Sequence, residues 1–158
     1  MRTDLIIRPA ELDEREELEA LQRRASLTWD EDRQALLAHP EAIAVPIDQI
    51  AAGQVWVAEQ HGAVVGFSVL LPGDGGNAEL DGLFVEPDCW GNGIGRHLVE
   101  DVVKKARSAG ARSLHVVANP RAAGFYAACG FALQGEVPTR FGRALAAVLE
   151  IGLSADRK

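Results

Sequence analysis

The stretch Leu80-Asp81-Gly82-Leu83-Phe84-Val85-Glu86-Pro87-Asp88-Cys89-Trp90-Gly91-Asn92-Gly93-Ile94-Gly95-Arg96-His97-Leu98 decides how the chain folds. Its apolar first part reads as a strand that stops before Pro87. Beyond the turn, Ile94, Leu98, Val102 and Ala106 recur at four-residue steps with Val99 and Val103 alongside, which predicts a helix over 94–108. A strand therefore runs through a glycine-rich turn straight into a helix. The opening turn of a helix has N–H groups without intrahelical partners and a partial positive charge, so it can hold an anion. Gly91, Gly93 and Gly95 would let a phosphate approach that backbone without meeting a Cβ, and Arg96 adds a full charge. Other phosphate loops fit less well. A Walker loop needs Gly-Lys-Ser/Thr at its end, and a dinucleotide fingerprint begun at Gly91 would need its third glycine where Arg96 stands. A tight strand–helix turn that binds nothing is the alternative.

Outward from this stretch, the pattern alternates strands and helices. Residues 5–8 read as a strand closed by Pro9, and 11–26 as a helix. Leu12, Leu18, Leu21 and Ala25 give that helix a partial apolar stripe, with carboxylates early and Arg23-Arg24 late, as the helix dipole favours. Asp30 is placed to cap a second helix through Ala38, and 39–53 reads as loop with room for a helical turn. Residues 54–59 and 63–71 form a hairpin around His61-Gly62, and 78–85 is a fourth strand after the turn-rich Pro72 to Asn77. Gly110 stops the 94–108 helix, and 113–118 is an apolar fifth strand. Asn119-Pro120 then opens a helix that ends at Gly130, with strands over 131–137 and 145–153 after it. The order β-α-α-β-β-β-α-β-α-β-β implies one α+β domain over residues 1–158. It would be an α/β/α sandwich, with a mixed sheet of about seven strands and helices on both faces.

With 158 residues, 47% of them hydrophobic, the chain suits one globular domain able to bury a core. Charges interrupt the N-terminal Met1 to Pro9 at once, unlike a signal peptide, and no uncharged apolar run is long enough to cross a bilayer. A cytoplasmic protein is the expectation. A net charge of −7 argues against attraction to nucleic acid or anionic membranes. Much of the acid lies in Glu11 to Glu19, a run that usually forms a solvated helix face. Cys89 and Cys129 make no framework and read as reduced, structural thiols, and the four scattered histidines have no metal-ligand spacing, so no metal is expected.

A second stretch, Asn119-Pro120-Arg121-Ala122-Ala123-Gly124-Phe125-Tyr126-Ala127-Ala128-Cys129-Gly130-Phe131, complements the first. Together they resemble the GCN5-related N-acetyltransferases (GNAT). That family's pyrophosphate motif, Gln/Arg-x-x-Gly-x-Gly/Ala, is matched by Trp90 to Gly95, with Trp90 where the family usually has Gln or Arg. Its later segment, Asn-x-x-Ala, an aromatic pair ending in Tyr, then Gly-Phe, is matched by Asn119, Ala122, Phe125-Tyr126 and Gly130-Phe131. The element order is also the family's, so the resemblance covers almost the whole chain.

The resemblance implies transfer of an acetyl group from acetyl-CoA to a primary amine of a small molecule or peptide, by direct attack in a ternary complex. Leu83, Phe84 and Val85 would offer strand-edge backbone groups to the pantetheine arm, and the Leu83 N–H would polarise the thioester carbonyl as an oxyanion-type donor. Backbone groups of Gly91, Asn92, Gly93, Ile94, Gly95, Arg96 and His97 would hold the pyrophosphate. Asn119 would contact the pantetheine or simply cap its helix. Tyr126 would protonate the leaving sulfur; otherwise it is a packing residue with a wet hydroxyl. An amine is mostly ammonium at neutral pH, so a base is needed. Glu79 stands where several family members place theirs, and Asp81 lies two residues on, on the same side of the strand. Both can equally be solvated carboxylates, with ordered water doing the work.

Other residues read more plainly. Trp29 and Trp56 suit a core or cleft wall, and His115 points out of the fifth strand without a catalytic part. Arg121 suits either the coenzyme A 3′-phosphate or solvent. A domain that binds acyl-CoA without turnover, as a sensor or regulator, is the second functional class the motifs allow. A protein-interaction domain with a vestigial cleft is the third. The acceptor is not legible, and a homodimer is left open.

Overall fold

The computed structural model describes residues 5–26, 38, 43–73, 75–139 and 142–151. Seven strands form one sheet: β1 (Leu5–Pro9), β2 (Val55–Gln60), β3 (Ala63–Pro72), β4 (Asn77–Val85), β5 (Ser113–Ala118), β6 (Ala132–Thr139) and β7 (Gly142–Glu150), in the order β1-β2-β3-β4-β5-β7-β6. Pairing is antiparallel in β1–β2, β2–β3, β5–β7 and β6–β7 and parallel in β4–β5, so the sheet is mixed, as the element order implies. The helices are α1 (Arg15–Ser26), α2 (Ile47–Ala51), α3 (Ile94–Ser108) and α4 (Ala123–Ala128). The chain packs as two compact units. One holds the chain up to Val69 together with Gly82–Leu98, the other Leu70–Asp81 together with the chain from Val99 onward.

In the first unit, α1 buries Leu18, Leu21 and Ala25. Each buried leucine of this kind contributes about 1.5–3 kcal/mol. Leu12 does not join the stripe. It is 55% exposed in a 3-10 turn, Leu12–Glu14, that precedes the α-helix. The acidic run is not wholly solvated either. Glu14 is drawn back by Arg8, whose guanidinium nitrogens lie 2.7 and 3.0 Å from its carboxylate, and Arg8 also donates to Glu59 at 2.8 Å. Glu19 accepts the Val45 N–H at 2.8 Å. The Arg8 hydrogen bonds hold the Glu14 carboxyl below its ordinary range and raise the guanidinium further above its own.

The expected hairpin is present. His61 (φ 54°) and Gly62 (φ 80°) both take left-handed backbone, the two-residue turn that suits the twist of β2 and β3. At Gly66 of β3 a Cβ would meet the Phe84 carbonyl oxygen at 2.9 Å, so β3 approaches the end of β4 more closely than another residue would permit. The helical turn allowed within 39–53 is α2; the helix expected over 30–38 lies outside the described residues but for Ala38, which is helical.

Helix α3 buries Ile94, Leu98, Val99, Val102 and Ala106, the stripe its sequence spells. Gly110 (φ 91°) ends it, with the Ala111 N–H returning to the Ala106 carbonyl at 2.9 Å. In the second unit the 119–130 helix divides into a 3-10 turn, Pro120–Ala122, and α4, and Gly130 closes it in the same way, with the Phe131 N–H on the Tyr126 carbonyl at 3.0 Å. The last strand begins earlier than its apolar residues suggest, because Arg143 and Gly142 continue the ladder to Pro138 and Thr139.

Candidate active site

In the first unit the site is the end of β4, the turn after it and the start of α3. Burial alternates strictly along β4 through Asp81 and then stops alternating. The parallel register with β5 pairs Asn77 to Leu80 with Ser113 to Val116, and β4 runs on to Val85. The side chains of Leu83 and Val85 pack on the cluster of Ala58, Val65, Ile94 and Leu98, which fixes the strand against the start of α3. Beyond Val85 the Glu86 N–H donates to the Val65 carbonyl at 2.9 Å, and the Glu86 carboxylate pairs with the Arg24 guanidinium, whose Nε lies 3.0 Å away. This tie from α1 to the turn spans sixty-two residues and left no mark in the sequence pattern.

The turn itself is a 3-10 segment, Pro87–Cys89, followed by Trp90, whose indole Nε1–H donates to the Val85 carbonyl at 2.8 Å. Gly91 (φ 88°) and Gly93 (φ 85°) both need left-handed backbone, and a Cβ on either would meet nothing within 4 Å. Open space therefore lies beside both, as a cradle for a phosphate requires. The first i→i−4 bond of α3 runs from the His97 N–H to the Gly93 carbonyl at 3.0 Å, and the Asn92 N–H is directed to the Cys89 carbonyl at 3.3 Å. The N–H groups of Asn92 and His97 thus serve the turn and the helix, and Gly93, Ile94 and Gly95 stand ahead of the ladder. Burial, reinforced by Glu86 and Asp88, raises the Cys89 thiol above its ordinary range, so it is a poor nucleophile. Neither cysteine is in a disulfide.

In the second unit Asn119 caps its helix: its Oδ1 accepts the Arg121 N–H at 2.8 Å. Tyr126 is buried rather than wet. Its ring sits edge-on to Phe125 at 5.0 Å and to Phe131 at 5.3 Å between centroids. Desolvation, with a smaller contribution from Cys129, raises its phenol well above the ordinary tyrosine value, so it stays protonated at neutral pH. Glu79 and Asp81 are both exposed, on alternate positions of β4. Glu79 stands opposite His115 in the parallel register. Sequence reasoning set His115 aside; the structure places its Nε2 3.1 Å from Ser113 Oγ, which donates to Asn77 Oδ1 at 2.7 Å. Trp29 lies outside the described residues; Trp56 is half-buried on β2. Among the described residues no group of His, Cys, Asp or Glu could hold a metal ion, and no helix is long and apolar enough to cross a membrane.

Known proteins share this architecture. The chain is 36% identical over 83 residues to serotonin N-acetyltransferase 2, chloroplastic, of Oryza sativa subsp. japonica, a match covering 50% of this chain and 42% of that one. The chain thus spans less than half the length of that curated relative. A PaiA N-acetyltransferase from Thermoplasma acidophilum, solved with coenzyme A, superposes with a TM-score of 0.75 at 16% identity, over 92% of this chain and 98% of its own. The YncA structure from Salmonella typhimurium, solved with acetyl-CoA, gives 0.68 at 20% identity, over 94% of each chain. Residues 16–131, from the first turn of α1 to Phe131, match the acetyltransferase (GNAT) family, and the chain belongs to that family.

Proposed function

We propose that this chain is an acetyl-CoA-dependent N-acetyltransferase that acts on a primary amine. The observation that carries the proposal is β4 itself. The strand leads into a turn where Gly91 and Gly93 leave open space ahead of α3. A strand edge can pair with the amides of a pantetheine arm, and a helix N-terminus suits its pyrophosphate. The relatives solved with coenzyme A or acetyl-CoA support this choice of ligand.

The roles follow from each residue's surroundings. Gly93, Ile94 and Gly95 hold the pyrophosphate from the backbone, with Gly91, Asn92, Arg96 and His97 shaping the same turn. Leu83, Phe84 and Val85 present the strand edge, and the Leu83 N–H steadies charge on the thioester oxygen. Acetyl-CoA supplies the acyl group, which the amine accepts by direct attack. Tyr126, kept neutral by burial, gives its proton to the departing sulfur. Asn119 positions the segment that carries Tyr126. Glu79, exposed on β4, takes the proton of the incoming ammonium. The whole chain acts as one catalytic domain, and two cysteines outside any disulfide fit a cytoplasmic location.

The test is thiol release from acetyl-CoA over a panel of amines containing serotonin, L-glutamate, nourseothricin and a lysine-bearing peptide. Turnover with one of them supports the proposal. Binding of acetyl-CoA without turnover on any amine would make the chain a sensor, and no binding would remove coenzyme A from the account.

A further inference from the structure

We infer that Arg24 is an electrostatic screen for acetyl-CoA binding: its guanidinium neutralises the Glu86 carboxylate, which would otherwise repel the pyrophosphate at the glycine turn. This rests on that turn being the pyrophosphate site, as proposed above. Arg24 lies in the last turn of α1, and Glu86 follows directly on β4. Both belong to the first unit, together with the whole turn and the start of α3. Arg24 touches no ligand in this scheme; it is a positioning residue that acts through Glu86.

The backbone of Glu86 is fixed on both sides. Its N–H donates to the Val65 carbonyl at 2.9 Å, and its carbonyl accepts the Cys89 N–H at 2.8 Å. Its carboxylate meets a two-pronged guanidinium: Arg24 Nε donates to Oε1 at 3.0 Å, and Nη2 pairs with Oε2. This fork is a geometry that arginine forms and lysine does not. The Glu86 side chain is 22% exposed against 51% for Arg24, so water alone would screen the carboxylate poorly. Its field reaches into the turn. After burial, Glu86 and then Asp88 push the Cys89 thiol up, and the Cys89 carbonyl accepts the Asn92 N–H at 3.3 Å, next to Gly93.

The charges along the turn show why a screen is needed. Between residues 86 and 97 the sequence carries Glu86, Asp88 and Arg96, two carboxylates against one arginine. The segment that must receive a pyrophosphate is therefore left with an excess of negative charge, and Arg24 cancels it. A different use of the same pair would be a simple tether of α1 to the turn. The two uses differ in what each partner's loss does. Losing either partner cuts a tether, whereas only the loss of Arg24 uncovers a charge.

The experiment is calorimetric titration with acetyl-CoA at low ionic strength and again at high salt. It compares wild type with Arg24→Gln, Arg24→Lys, Glu86→Gln and the double variant Arg24→Gln/Glu86→Gln. Arg24→Gln should bind acetyl-CoA about three- to five-fold more weakly at low salt, as expected for an uncovered charge on the order of 10 Å from the phosphates. The deficit should close at about 1 M salt, where screening acts over roughly 3 Å. Arg24→Lys keeps the charge without the fork and should recover most of the affinity. Glu86→Gln removes the repelling group and should tighten binding slightly. The double variant should bind more tightly than Arg24→Gln alone, because the charges it removes balance. An exposed ion pair contributes little to stability, so melting temperatures without ligand should stay close together. If Glu86→Gln weakens binding as much as Arg24→Gln, or the double variant is no better than Arg24→Gln, the pair is a tether and the screen is wrong. A deficit in Arg24→Gln that persists at high salt overturns it equally. Wild type that fails to bind acetyl-CoA removes the pyrophosphate site itself, and the screen with it.

Discussion

Trp90 donates its indole N–H to the carbonyl oxygen of Val85 at 2.8 Å and so closes the loop between the end of β4 and the glycine turn. The side chain is 40% exposed, so the bond and not burial of the ring holds the residue in place. Relatives usually have Gln or Arg here, and both can donate a hydrogen bond as the indole does. Trp90→Gln should accordingly bind acetyl-CoA close to wild type. Trp90→Phe, which fills the same space without a donor, should lose about 1 kcal/mol, or about five-fold in affinity. Isothermal titration of the two variants checks this. Equal affinity for both would assign the turn's geometry to the glycines alone.

Gly93 is the stricter test of the cradle. Its φ of 85° strains any β-branched residue, and the space beside it is open. Gly93→Val should therefore lose stability by roughly 1–3 kcal/mol and also lose the rise in melting temperature that acetyl-CoA gives. Gly93→Asn separates the two effects, since Asn tolerates left-handed backbone and still puts a side chain into that space. It should melt near wild type and bind acetyl-CoA poorly. A well-folded Gly93→Asn with normal affinity would place the pyrophosphate elsewhere.

Legibility in the sequence followed the range of the interaction. The four-residue stripe of α3, the Gly110 stop and the His61-Gly62 hairpin were all readable, because each depends on residues a turn apart. Tyr126 was readable through its motif, but its burial was not, since that comes from Phe131 folding back after Gly130. Arg8 drawing Glu14 out of the solvated run, and Arg24 reaching Glu86, depend on where separate elements pack. The Glu79↔His115 pairing needed the parallel register, which no local pattern encodes.

Ser68 gives a prediction about stability alone. It is wholly buried on β3, and its Oγ has no hydrogen-bond partner among the described residues. An unsatisfied buried hydroxyl costs about 1–3 kcal/mol. Ser68→Ala removes that penalty at the expense of one oxygen's packing, so the melting temperature should rise by a few degrees while acetyl-CoA binding is unchanged. A lower melting temperature would mean that the hydroxyl is satisfied by water in solution.

Tyr126 carries the last prediction, in two measurements. Phenylalanine at 126 keeps the edge-on contacts with Phe125 and Phe131 and removes only the hydroxyl. Affinity for acetyl-CoA should stay within a few-fold, and turnover should fall by about ten-fold or more, as for a lost general acid. A donor whose thiol leaves more readily should narrow the gap. The second measurement uses the raised phenol. The folded state holds this proton more tightly than the unfolded chain, where tyrosine ionises near about pH 10. Its contribution to stability is thus complete below that pH and is lost as pH climbs toward the folded-state value. Wild type should lose denaturant stability above about pH 10 more steeply than Tyr126→Phe, and the two should run parallel below it. Unchanged turnover in Tyr126→Phe would take the residue out of the mechanism. Parallel stability curves at every pH would mean that the phenol reaches water in solution and is not the buried acid described here.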